Sequence, residues 1–359
     1  MINTYKLYLM KLYFKYLMTI SIVFLCLIFV LNIIEEIKFF DDLNLSFLYP
    51  VIFTLLNLPT ILFEISPFIF LITTQMFFLE LYNRDEIIIF KQYGVKNLDI
   101  IKFISFISLI VGILLVLGFY TLSSNLKNNY LIFKNKFTDD NKYLAVINES
   151  GLWIKDEVND YVNIVHAKSI EKNFLKDVSI NQMDKDHSLV QSIFAEEIDI
   201  MNNTWKIENA KIFNVNGTKI DNREITFKTN FNLEKINNLF SNLSSLNLIQ
   251  LFEQYNDYKS LGYSTLDIES HIHKITSLPI YLVIMILLGS ILMFNTSYNK
   301  SKVANLVIGI LLSVFIYYIN YFFNLMGINE RIPVILSVWF PFIILILLSG
   351  IGLVKINEK

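Results

Sequence analysis

Residues 103–126 read FISFISLIVGILLVLGFYTLSSNL, from Phe103 to Leu126, without a single Asp, Glu, Lys or Arg. About 20 apolar residues carry an α-helix across the hydrocarbon of a bilayer, and a charge at its centre costs roughly 2.5–3.5 kcal/mol on insertion scales. A charge-free run of this length reads as a membrane span. The same rule finds Leu17–Ile34 before it, and Ile275–Asn299, Val303–Asn329 and Ile332–Val354 after it. Leu43–Leu79 contains one charge, Glu64, and is too long for one straight crossing. Pro50, Pro59 and Pro67 are expected to divide it into an interfacial piece and a span near Thr60–Tyr82. Six spans result, three before Ser123 and three after His273.

The composition agrees. Of 359 residues 54% are hydrophobic and only 17% charged, with a mean hydropathy of +0.50. A net charge of −2 and a pI near 6.1 leave no basic field for gripping nucleic acid. One cysteine, Cys26, excludes a disulfide framework and a cysteine-built zinc site. Its place within a span reads as ordinary packing.

Lysine and arginine in short loops set orientation. Lys6, Lys11, Lys15, Arg84, Lys91, Lys96, Lys102, Lys300, Lys302, Lys355 and Lys359 fall on one side, and only Lys38 and Arg331 on the other. Both termini are therefore expected in the cytoplasm, and the insert outside. The hydrophobic run near the start lacks a small-residue cleavage site and reads as a retained helix. The expected division is 1–122 for the first three spans, with a short cytoplasmic helix near 84–94. The outside domain follows at 123–270 and the last three spans at 271–359.

After Ser123 the period changes from helical to alternating. Tyr143–Ile147, Gly151–Lys155, Tyr161–His166, Asp177–Met183, Leu189–Ile200, Thr204–Phe213 and Glu224–Thr229 read as strands, separated by Asn-, Asp- and Gly-rich turns. So many short strands suggest a sandwich or a jelly-roll-like sheet pair around an apolar interior or groove. Leu233–Leu239, Leu246–Leu261 and Thr265–Thr276 return to helical spacing, with Gly262 as a stop between the last two. The fold class is thus a six-span (3+3) α-helical membrane protein with an inserted all-β, jelly-roll-like domain.

No G-x-x-x-x-G-K-[ST], G-x-S-x-G, H-E-x-x-H or kinase signature is present, so the chain is expected to bind no nucleotide and to catalyse nothing itself. His271 and His273, two apart on a helix, fall on different faces. Glu64 reads as a structural residue near the interface. More informative is Asn83-Arg84-Asp85-Glu86-Ile87-Ile88-Ile89-Phe90-Lys91-Gln92-Tyr93-Gly94-Val95. Asn83 with Glu86 three later is a helix-start signal, and Gly94 a stop, giving about ten helical residues around Ile87–Phe90. Such a helix either rests on lipid headgroups or docks into a cytoplasmic partner. Glu86 could cap its own helix or meet a partner's arginine.

Asp85-Glu86-Ile87-Ile88-Ile89 followed by Gly94-Val95 resembles the coupling helix of the LptF/LptG family, the lipopolysaccharide export permeases. Leu58-Pro59, Glu64-Ile65-Ser66-Pro67, Leu246-Asn247-Leu248, Leu261-Gly262, Lys274 and Pro279 resemble that family's second span and its return into the fourth. Ile37-Lys38-Phe39-Phe40-Asp41 and Gly151-Leu152-Trp153-Ile154-Lys155-Asp156 are similar to the LptG branch more than to LptF. The resemblance runs the whole chain in order, and it implies a half-transporter in the inner membrane of a Gram-negative bacterium. Its implied partners are a sister LptF/LptG-type permease, a dimer of LptB-type ATPase using ATP and Mg, and periplasmic LptC/LptA-type bridge proteins. No cofactor would be bound by this chain. Arg84, Asp85, Glu86, Ile87, Ile88, Phe90 and Gly94 would form the ATPase-coupling segment. Lipopolysaccharide would enter between the first span of one permease and the fifth of the other, past Phe24, Leu27, Leu31, Phe315, Tyr318 and Phe322, and then pass up the β-domains.

Lys38 at a span end is the candidate cation for the lipid's phosphates, or else a snorkelling anchor. Glu35, Glu36, Asp41 and Asp42 around it lower the local potential. Arg331 is a second candidate. Against a lipoprotein-releasing or MacB-like permease stands the external domain after three spans, since that class places it after the first of four. Against a membrane-anchored sensor or scaffold with a β-rich ectodomain stands the short segment Lys355–Lys359 after the last span. Against a polytopic enzyme stands the scarcity of ionisable residues in the spans.

Overall fold

A computed structural model describes residues 4–41, 46–137, 151–158, 161–171, 173–185, 188–214, 219–233, 235–236, 242–260, 263–294 and 302–357. The expected strand at Tyr143–Ile147, the acidic Asp42 and the Gly262 stop lie outside these residues. The chain divides into two compact units, Met1–Leu126 with Leu266–Lys359, and Lys127–Thr265.

The first unit is helical. It contains α1 (Thr4–Asp41), α2 (Leu48–Glu64), α3 (Ser66–Asn83), α4 (Glu86–Gln92) and α5 (Asn97–Leu114). A π-helical turn, Leu115–Phe119, joins α5 to α6 (Tyr120–Asn135). After the insert come α8 (Leu266–Phe294), α9 (Lys302–Ile328) and α10 (Val334–Asn357), with α7 defined below. Among the described residues five stretches are long and apolar enough to cross a membrane: α1, the continuous Asn97–Asn135, α8, α9 and α10. The pair α2 and α3, bent by 66° at their junction, makes a sixth when counted as one broken span.

That junction is a correction. The sequence placed the division at Thr60, yet the chain stays helical through Pro59 and breaks after Glu64. Pro67 falls in the first turn of α3, where no N–H is required. Ile65, between the helices, takes up the bend while its carbonyl accepts from the Phe68 and Ile69 amides. A second difference is continuity, because Thr265–Thr276 and the following span form the single helix α8.

α8 is the hub of the first unit. It packs on α3, α5, α9 and α10, and 61% of its span is buried, against 17% for α1 and 17% for α9. Gly112 on α5 allows that packing, since a Cβ there would lie 2.8 Å from Pro279 Cα. A chain of ring contacts, Tyr13–Phe77 at 5.7 Å, Phe77–Phe78 at 5.1 Å and Phe78–Phe294 at 4.8 Å, ties α1, α3 and α8 together.

The second unit carries β1 (Leu152–Val158), β2 (Tyr161–Glu171), β3 (Phe174–Met183), β4 (Leu189–Asp199), β5 (Thr204–Asn214) and β6 (Lys219–Lys228), then α7 (Leu248–Ser260). The described strands form one antiparallel sheet in consecutive order, where two sheets had been anticipated. Alternation is period 2, so Ile154, Val165, Ile180, Ile193 and Ile212 fall in one cross-strand row. The sheet is rolled. Flat strands lie roughly 4.8 Å apart, which would hold β1 and β6 about 24 Å from each other. Instead Asp156 on β1 accepts hydrogen bonds from Thr229 Oγ1, from Asn230 N at 3.2 Å and from Asn230 Nδ2 at 2.9 Å, just beyond β6. One rolled sheet therefore encloses the interior that a sheet pair would have enclosed. Its core includes Trp205, Phe231 and Ile236.

β3 begins earlier than its alternation suggested, because Asp177 stands at φ 49° and interrupts the pattern. Asn209, at φ 52°, does the same in β5. Between these two positive-φ positions a pocket of about 630 Å³ opens beside Phe194, Glu196 and Lys211.

Candidate functional site

The segment after α3 is built by helix termini. α3 ends at Asn83, and Asp85 is the N-cap of α4 in the left-handed region, φ 56°. α4 closes with Gly94 at φ 81°, its N–H bonded to the Lys91 carbonyl at 3.0 Å and the Val95 N–H to the Phe90 carbonyl at 2.9 Å. That is a Schellman ending, as Gly94 predicted. The start differs. Asn83 does not cap α4, and the helix has seven residues rather than about ten. Glu86 does not cap it either. Its carboxylate accepts the Tyr8 hydroxyl at 2.7 and 2.8 Å, bringing α1 onto α4.

Around this contact lies a polar network. Arg84 pairs with Glu80 at 2.6 Å and stands 4.0 Å from Glu86. The Glu80 carboxylate holds the Arg84 guanidinium charged, raising its pKa above its ordinary value. Tyr16 lies near Glu80, and the Tyr5 and Phe90 rings lie 6.3 Å apart. Ile87 turns inward and is buried, while Ile88, Ile89 and Tyr93 are exposed, Tyr93 at 84%. Beside them a pocket of about 200 Å³ is lined by Tyr82, Ile87, Ile88, Lys91, Phe294 and Ile356. A short helix is thus fixed on one side and presents apolar side chains on the other.

The residues expected to face lipid fall on two helices. Leu27 and Leu31 on α1 are exposed and Phe24 half-buried; Phe315, Tyr318 and Phe322 on α9 are exposed. α1 packs on α2, α3 and α5, whereas α9 packs on α3, α8 and α10, so one copy does not gather the two sets into one cavity. Lys38 is exposed in the last turn of α1, with Glu35 and Asp41 three residues to either side on the same face. Glu36 instead turns inward, at 2% exposure, so it lies apart from the exposed face that bears Lys38. Arg331 is exposed before α10, after Glu330 at φ 59°.

Other candidates separate cleanly. His271 Nε2 lies 3.2 Å from the Tyr120 hydroxyl while the His273 ring faces the Trp339 indole N–H at 3.5 Å, so the two histidines face different helices. Glu64 ends α2 at the bend. Cys26 is exposed on α1, where packing had been expected. What sequence inspection missed is the trio Tyr8, Tyr16 and Glu80. The only signal was two tyrosines, eight residues apart, near the start of α1.

A family model for the lipopolysaccharide export system permease LptF/LptG matches residues 7–355, from the first turn of α1 to the last of α10. No curated protein matches the chain.

Proposed function

The chain belongs to the LptF/LptG family of lipopolysaccharide export permeases, inner-membrane proteins, and we propose that it is one half of an ATP-driven exporter. A sister permease of the same family supplies the other half. Two ATPase subunits dock on the α4 segments and use ATP and Mg; this chain binds no cofactor. Both termini and α4 lie in the cytoplasm, and the rolled sheet in the periplasm, where it passes lipid to a bridge protein.

The observation that carries this reading is α4 with Ile88, Ile89 and Tyr93 uncovered. Exposed apolar side chains on a short helix fixed by its start at Asp85 and its ending at Gly94 form a preformed docking face. The sparse cover of α1 and α9 supports lateral entry, since the first span of one permease and the fifth of its sister would together wall the cavity. Lys38 at the outer end of α1 meets the lipid's phosphates. Each CH₂ lifted out of the bilayer costs about 0.8 kcal/mol, so extracting a multiply acylated lipid requires coupling to ATP.

Affinity purification in mild detergent tests this. Wild type is expected to bring down a P-loop ATPase and a second permease. Ile88→Asp together with Ile89→Asp is expected to lose the ATPase and keep the permease. Recovery of the wild-type chain alone would overturn the proposal.

A further inference from the structure

α1 is held at both ends and bare between them. Near its start, Leu9, Leu12, Tyr13 and Leu17 are buried; Met18 is 62% exposed and Leu31 67%. At its outer end, Asn57 Nδ2 on α2 donates to Asn32 Oδ1 at 2.8 Å, and the Phe40 and Phe53 rings meet at 4.9 Å, tilted by 57°. The outer half of α1 therefore travels with α2. α2 is separated from α3 by the 66° bend at Ile65, while α3 continues into the docking segment. Two bodies result, α1 with α2 and α3 with α4, joined at the bend and again on the cytoplasmic side.

The cytoplasmic joint packs Tyr13 against Phe77 and adds a polar, directional tie. The Tyr8 hydroxyl donates to both oxygens of Glu86. Arg84 pairs with Glu80 and approaches Glu86, linking the two carboxylates. Hydrogen bonds to ionised carboxylates are about twice as strong as neutral ones and resist sliding, which apolar contacts do not. Resting on the reading that α4 receives the ATPase, we propose that the Tyr8–Glu86 hydrogen bonds carry displacement of the docking helix into α1. α1 is then the rod that moves the lipid-facing surface. Tyr8 is a positioning residue in this scheme. It acts through Glu86, to which its hydroxyl donates.

The test uses the assembled exporter in lipid nanodiscs and compares Tyr8→Phe, Glu86→Leu and the double variant. Tyr8→Phe keeps the ring and removes only the hydroxyl. It is expected to retain the ATPase and to hydrolyse ATP within about twofold of wild type, while lipopolysaccharide released per ATP falls about tenfold. Glu86→Leu should fall similarly, and the double variant no further than either single one, since one interaction is lost in all three. Glu86→Gln keeps an acceptor for Tyr8 and should recover most of the release. Unchanged release per ATP in Tyr8→Phe, or losses that multiply in the double variant, would overturn the proposal. So would loss of the ATPase from Tyr8→Phe, which would make the tie a support of the docking face. If Ile88→Asp leaves the ATPase bound, the docking reading fails separately.

Discussion

Replacing Asp156 with alanine tests how the rolled sheet is closed. Its buried carboxylate accepts from Thr229 Oγ1, Asn230 N and Asn230 Nδ2, and these bonds join the first strand to the end of the last. A hydrogen bond to a charged group contributes about 1.5–3 kcal/mol, but three sharing one acceptor residue do not add in full. Asn230 is exposed and recovers water, whereas Thr229 is buried and recovers less. A loss of about 3 kcal/mol follows, a large share of the roughly 5–15 kcal/mol that holds a domain folded. For a unit the size of residues 127–265 this lowers Tm by about 10 °C. The assay is thermal unfolding of that unit expressed alone, followed by circular dichroism and tryptophan fluorescence. Trp205 reports the closure directly, because its Nε1–H donates to the Phe231 carbonyl at 2.9 Å, one residue beyond Asn230. Its emission should shift to the red as the roll opens. A variant melting within about 2 °C of wild type, with unshifted emission, would refute closure through Asp156.

Two further outcomes follow from single residues. Burial pushes the Tyr263 hydroxyl up to about 12, opposed by its backbone hydrogen bond at Lys155. The folded pKa lies above the unfolded one near 10, so this contribution is complete below pH 10 and lost as pH rises toward 12; Tyr263→Phe should flatten the stability curve in that window, and an unchanged slope would refute it. Lys38→Ala should weaken lipopolysaccharide binding by roughly 5–10-fold and Lys38→Arg by little, as measured on the detergent-solubilised chain at two salt concentrations. Equal binding by Lys38→Ala would reduce Lys38 to an anchor at the membrane surface.

The spans were legible because the penalty on charge in a bilayer acts along the chain itself, so Phe103–Leu126 and its fellows announce themselves. Strand alternation was legible for the same reason, as Ile154, Val165 and Ile180 show. The break at Ile65 was not. Pro59 and Pro67 carry the same local signal, and only packing decides which one the helix tolerates. The role of Glu86 was hidden for a different reason. Its partner Tyr8 lies 78 residues away, and nothing in the local spacing favours that contact over a cap. The roll of the sheet likewise depends on Asp156 meeting Thr229, a long-range bond with no period. The short apolar helix was visible as Ile87–Phe90, but which isoleucine turns inward depends on where α4 starts. Asp85 in the left-handed region sets that start.

The most direct measurement is ATP-dependent release of lipopolysaccharide from proteoliposomes carrying this chain with its co-purified partners. Release should require hydrolysable ATP and an acceptor bridge protein, and should stop with the Ile88→Asp and Ile89→Asp chain. Release that proceeds equally without ATP, or with the docking face destroyed, would contradict the account.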